Sequence, residues 1–215
     1  MCNITLNITS GEYFNRHFLS ENGGVALPFC EAMMDGQTVL DIFSEAFISH
    51  RLQALHVTKE QYQSKMYVYD ALQSREYQSI ALWFGKDTFC QMNLLTLLAY
   101  LEQINYQGEV KLHYIDDETF AVIEKDIAVV LGIYRQIYQD IFISKSIPKD
   151  LGVLSKRAIA LYFDYHSQNG HLANLVKANR NKARLDILCL LLEASKDYGL
   201  SDIQAEQLIS THLPK

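Results

Sequence analysis

The chain has 215 residues, 49% hydrophobic and 20% charged, with only 3 Pro and 10 Gly. This is enough apolar material for a packed core, and it excludes a low-complexity or linker-dominated protein. The formal net charge of -6 is uneven. Residues 1–147 carry 10 basic and 18 acidic groups, a net of -8, whereas 148–215 carry 9 and 7, a net of +2. The front part therefore repels phosphate and is a poor sequence-independent nucleic-acid binder.

"NITLNI" alternates polar and apolar residues and predicts a first strand. "SGEYFNRHFLSE" follows, with Ser10 as N-cap and Phe14 and Phe18 one helical turn apart, and Asn22-Gly23-Gly24 stops that helix. "GVALPF" reads as a second short strand ended by Pro28, and "CEAMMDGQ" as a loop. "TVLDIFSEAFISHRLQALH" has a helical apolar stripe, and Thr58 with Gln61 has capping-box spacing for a helix through about Ser74. "YQSIALWFG" is continuously apolar, as in a strand buried on both faces. "DTFCQMNLLTLLAYLEQI" reads as an amphipathic helix with Asp87 as N-cap and Asn105 near its end, and Gly108 leads into a fourth strand, "EVKLHYI".

Strands alternating with helices predict parallel βαβ units. The expected fold is α/β: a small Rossmann-like or flavodoxin-like parallel sheet over residues 1–120, with an α-helical C-terminal region over 121–215. In that region, 126–143, "SKRAIALYFDYHS", "HLANLVKANRNKARLDILCLLLEAS" and "SDIQAEQLISTHL" all read as helices.

Ligands of open parallel sheets lie beyond the strand carboxyl ends. Three segments fall there: "TSGEY", "PFCEAMMDG" and "FGKDTFCQMN". They contribute the expected ligand-binding residues Ser10, Gly11, Glu31, Asp87 and Gln91. Helix N-termini after the first and third strands favour an anion. "TSGE" is neither a Walker A loop nor GxGxxG, which argues against a dinucleotide site. Asp87 also has a plain capping role and Asp35 a turn role, whereas Glu31 follows a strand where no helix begins. Gln91 is the amide expected to face the cleft. Cys90 lies in a first helical turn, but no histidine has a spacing that marks a base. The residues name no catalytic group, no metal set and no cofactor, and leave open whether the protein is an enzyme.

The four cysteines, Cys2, Cys30, Cys90 and Cys189, form no CxxC pair and read as reduced thiols of a cytoplasmic protein. The N-terminal segment lacks signal-peptide features and no apolar run spans a membrane. "KANRNKAR", 177–184, places four basic residues on what reads as one helix start.

"LPFCEAMMDG", "LWFGKDTFCQMNLLTLLAYLEQ" and "GEVKLHYI" resemble the bacterial DUF1835 family, whose members often carry LPFNEAM..G and LWFG.D.FCQ.NLL..L. "YGLSDIQAEQLI" is similar to the helical DUF3658-type region that commonly follows. Cys30 stands where the family pattern often has Asn. The resemblance implies a Rossmann-like fold and a bacterial cytosolic protein, and some relatives carry labels as transcriptional regulators.

Two functions follow as expectations. The first is a small-molecule or nucleotide-binding module with its site at the strand carboxyl ends. The alternative is a regulatory or interaction protein that binds a partner or DNA through its C-terminal helices. A homo-oligomer is compatible with either, and no membrane partner is expected.

Overall fold

The computed structural model describes residues 5–22, 24–74 and 76–213. The readings at Cys2, Asn3 and Gly23 lie outside the described residues. The chain divides into two compact units, one of residues 1–86 with 90–154 and one of 87–89 with 155–215.

In the first unit, strand β1 (Thr5–Ser10) leads into helix α1 (Gly11–Asn22) and strand β2 (Ala26–Phe29). β2 continues through Pro28 and is an edge strand of the described sheet. A missing N–H is tolerated on an edge, where no further strand needs it. Helices α2 (Glu45–Leu55), α3 (Lys59–Gln63) and α4 (Val68–Ser74) then precede strand β3 (Ser79–Phe84). Helix α5 (Thr88–Gln103), strand β4 (Glu109–Ile115) and strand β5 (Val122–Ala128) follow. The strand order is β2-β1-β3-β4-β5; the first four strands are parallel and β5 is antiparallel to β4. This is the doubly wound order of flavodoxin-like sheets with an inverted edge strand.

Several expectations about elements change, among them the single helix expected from Thr58 to Ser74, which is the two helices α3 and α4. The helix expected over 38–56 begins only at Glu45, where the Ser44 side chain accepts the Phe47 N–H at 3.2 Å. Upstream, Phe43 is left-handed at φ 65°, and its ring stacks 3.9 Å from that of Tyr69. Gln103 accepts the Ile42 N–H at 2.8 Å and donates to the Ile42 carbonyl at 2.9 Å, so this stretch is pinned as a loop.

The helix expected over 126–143 is a strand up to Ala128, a five-residue helix α6 (Tyr134–Tyr138) and a π-helical turn (Gln139–Ile143). The open edge of β4 captures Val122–Ala128 in pairs such as Leu112 with Ile127. Residues 121–154, grouped with the helical region on sequence, thus belong to the sheet-bearing unit.

Helix α5, expected to be amphipathic, is instead buried on all sides from Cys90 to Leu101. A helix that is mostly apolar all round belongs inside. Its few polar groups bind neighbouring loops: besides Gln103, the Glu102 carboxylate accepts the backbone N–H groups of Gly132, Tyr134 and Arg135.

The second unit contains helices α7 (Lys156–Tyr165), α8 (His171–Ala178), α9 (Arg184–Ala194) and α10 (Asp202–His212). Leu172, Val176, Ile187, Leu191, Tyr198, Ala205 and Ile209 are among the residues of its core. Ser155 and Ser201 cap α7 and α10 through their hydroxyls. The long helix expected over 171–195 is two helices. The Asn179 side chain donates to the Leu175 carbonyl at 2.8 Å and closes α8, so the basic stretch 177–184 straddles a break. No helix among the described residues is long and apolar enough to cross a membrane.

Candidate functional site

The strand order reverses direction between β1 and β3, because β2 lies on one side of β1 and β3 on the other. Such a switch point opens a crevice outside the strand carboxyl ends. Residues Thr9 and Trp83 are register partners there, so the Ser10–Gly11 and Gly85–Lys86 segments leave the sheet side by side. Ser10 and Gly11 are half-buried. Gly11 has φ 81°, and nothing stands within 4 Å of where a Cβ would project. It is thus the left-handed turn that lets the strand enter α1, and it leaves an opening beside the backbone.

Around this opening lie residues from distant parts of the chain. Glu12, in the first turn of α1, forms an ion pair with Lys65. Cys30, half-buried at the end of β2, has its thiol pushed up to about 11. Burial is the main cause, the negative charge of Glu12 adds to it, and Lys65 and a backbone hydrogen bond from Glu12 oppose it. A thiol held this high is protonated at neutral pH and is not a ready nucleophile.

At the end of β3, a Cβ on Gly85 would fall 1.9 Å from Oδ2 of Asp117, so glycine admits that carboxylate against the strand end. Cys90 Sγ donates to Asp117 Oδ1 at 3.6 Å. Lys86 pairs with Glu124 at 2.8 Å, and its ammonium stands 4.7 Å from the Tyr114 ring centroid.

The five residues singled out on sequence have separate fates. Ser10 and Gly11 line the opening. Gln91 is fully buried: its Nε2 donates to the Gly85 carbonyl at 2.8 Å, and its side chain also bonds to Tyr114. It braces the β3 turn from inside and does not face a cleft. Tyr114 is pushed up to about 12, first by burial, and its hydroxyl donates to the Val153 carbonyl at 2.6 Å.

Glu31 is also interior, at 1% exposure. Its carboxylate receives Arg51 Nε at 3.0 Å and the Tyr62 hydroxyl. Arg51 further donates to the carbonyls of Asp35 at 2.7 Å and Ala32 at 2.8 Å. Asn93 donates to the Glu31 carbonyl and accepts the Met33 N–H at 3.0 Å. The 31–35 loop is thereby fastened by a buried ion pair and a buried amide. Burial, reinforced by the Glu31 charge and hydrogen bond, raises Tyr62 far above an ordinary phenol.

Asp87 groups with the helical unit, where a Cβ on Gly199 would fall 2.2 Å from Asp87 Oδ1. Helix α5 begins at the next residue, Thr88.

Lys65 pairs with Glu12 in the first turn of α1, and Asp117 packs against Gly85 at the end of β3. Their local sequence gives no signal, because Lys65 meets Glu12 across 53 positions and Asp117 meets Cys90 across 27. Two adjoining clefts of about 380 and 620 Å³ lie at the opposite end of the sheet, around Asn105–Gly108. Arg135 and Gln136 line the larger. No known protein family, curated protein or solved structure matches the chain.

Proposed function

We propose that the sheet-bearing unit is a binding module for a small molecule or nucleotide that carries a phosphate or carboxylate. Its site is the switch-point crevice at Ser10–Gly11 and Gly85–Lys86. The observation that carries this reading is the unobstructed Gly11 turn, which opens a 12-residue helix at the reversal of strand order. The positive end of the α1 dipole and the Ser10 hydroxyl suit an anionic group. Binding is favoured over covalent catalysis because the adjacent Cys30 thiol is held protonated. Membership of the DUF1835 group, with a DUF3658-like helical unit, is part of the same proposal, as is a cytoplasmic location.

DNA binding through 177–184 has less support. Lys177 donates to the Gln168 carbonyl and Arg184 is held by Glu206 at 2.7 Å, so two of its four cations have internal partners. Calorimetric titration of the full chain with inorganic phosphate and nucleoside mono- and triphosphates tests the proposal. Binding to at least one, abolished by Ser10→Asp with an unchanged circular dichroism spectrum, supports it. Absence of heat with every probe, or binding indifferent to Ser10→Asp, refutes it.

A further inference from the structure

The Tyr69 hydroxyl is the one enclosed side-chain polar atom without a hydrogen-bond partner among the described residues. The residue has no accessible surface, and its ring is fixed by three others. Phe43 stacks on it at 3.9 Å, and Tyr100 and Phe29 meet it edge-on at 4.8 and 5.8 Å. A flip of a tyrosine ring leaves the hydroxyl on the flip axis, so this oxygen cannot turn away to find a partner. Its surroundings are polar as well as closed. Burial raises Tyr69 well above an ordinary phenol, the Glu31 charge adds to this, and the phenols of Tyr62, Tyr138 and Tyr100 follow. The hydroxyl is therefore protonated and has a hydrogen to donate.

We infer that this interior is a binding site for a single water molecule, which accepts from Tyr69 Oη and donates to the Glu31 carboxylate. Glu31 has room to accept. Its Oε1 takes the Tyr62 hydroxyl and its Oε2 takes Arg51 Nε, but each carboxylate oxygen has two lone pairs. Tyr69 makes no direct bond to it. An enclosed O–H without a partner forfeits its hydration, whereas immobilising one bridging water costs less. Tyr69 and Glu31 give that water two polar partners, the least that holds an interior water. A larger ligand has no way in, because Phe29, Glu31, Arg51, Tyr62 and Tyr100 are all at 2% exposure or less. Through the water, Tyr69 and the helix α4 that carries it join the Glu31–Arg51–Tyr62 network that fastens the 31–35 loop. The inference does not depend on the crevice at Ser10–Gly11.

A crystal structure of the full chain, at a resolution that orders interior waters, tests this together with urea denaturation. A water peak is expected within hydrogen-bond distance of both Tyr69 Oη and a Glu31 carboxylate oxygen, and it is lost in Tyr69→Phe. The same variant should lower the urea midpoint, because it removes a satisfied donor. A hydroxyl with no partner gives the opposite sign, since its removal raises the midpoint. An interior without a water at Tyr69 overturns the inference. So does a direct bond from Tyr69 Oη to a protein oxygen, or a midpoint that rises in Tyr69→Phe.

Discussion

Glu31 and Arg51 are wholly enclosed, and their contact is a 3.0 Å charge-assisted hydrogen bond. Burying two ions costs desolvation that the pair recovers only while both remain. Glu31→Ala leaves the Arg51 guanidinium buried without its counter-ion, and urea denaturation is expected to show a loss of about 3–5 kcal/mol. Tyr62→Phe removes one hydrogen bond to a charged acceptor and should cost about 1.5–3 kcal/mol. A Glu31→Ala variant as stable as the wild type would contradict a structural role. At Cys30 the raised thiol pKa gives a kinetic prediction. Its iodoacetamide alkylation, followed by peptide mass spectrometry, should be slow at pH 7 and keep rising tenfold per pH unit beyond pH 9, because only the thiolate reacts. A rate that levels off near pH 8.5 would show an ordinary thiol. On sequence, Glu31 reads as a ligand acid because no helix needs it as a cap. Its partner Arg51 lies 20 positions away on α2, and nothing in local spacing announces that pairing.

At the scale of elements, α5 is a polar-studded rod inside the molecule. Glu102 accepts three backbone N–H groups at the entry to α6, which has no side-chain N-cap of its own. Glu102→Ala should accelerate hydrogen exchange of the Gly132, Tyr134 and Arg135 amides by about 10–100-fold, with little effect on the α5 interior. Strand β5 depends on a similar long-range contact. Asp126 is left-handed at φ 61°, near a register irregularity, and donates its N–H to His113 Nδ1 at 3.2 Å. His113 stacks on Trp83 at 4.0 Å and must be neutral to accept this bond. Burial lowers its pKa below the usual 6.5, against the opposing charge of Asp126. The unfolded chain then binds a proton that the folded chain does not, in the window from 6.5 down to the lowered folded value. Stability therefore falls as pH drops through that window and is regained as pH rises. Replacing His113 by Asn keeps an acceptor without a titrating group, so its stability profile should be flatter across pH 5–7. β1, β3 and β4 were legible from the alternation of β1, the apolar run of β3 and the glycines that flank each strand. β5 was not, because its residues are almost all exposed and only the free edge of β4 makes them a strand.

For the whole molecule, the parallel order and the helical C-terminal unit followed from alternating patterns and from helix caps such as Ser201 with Gln204. The boundary moved to residue 154 because β5 and α6 rejoin the sheet. The switch point was legible in the sequence as the place for the proposed site, and the residues around it only in part. Ser10 and Gly11 lie in the turn after β1, whereas Glu31 fastens the 31–35 loop and Gln91 braces the turn after β3 from inside. The opposite end of the sheet holds the 620 Å³ cleft beside Arg135, which makes it the natural rival location. Backbone amide NMR of the full chain, titrated with the tightest-binding phosphate compound, distinguishes the two most directly. Saturable shifts centred on Ser10, Gly11, Glu12 and Lys86 are expected. Shifts centred on Asn105–Gly108 and Gly132–Gln136, or no saturable shifts at all, would contradict the proposed site.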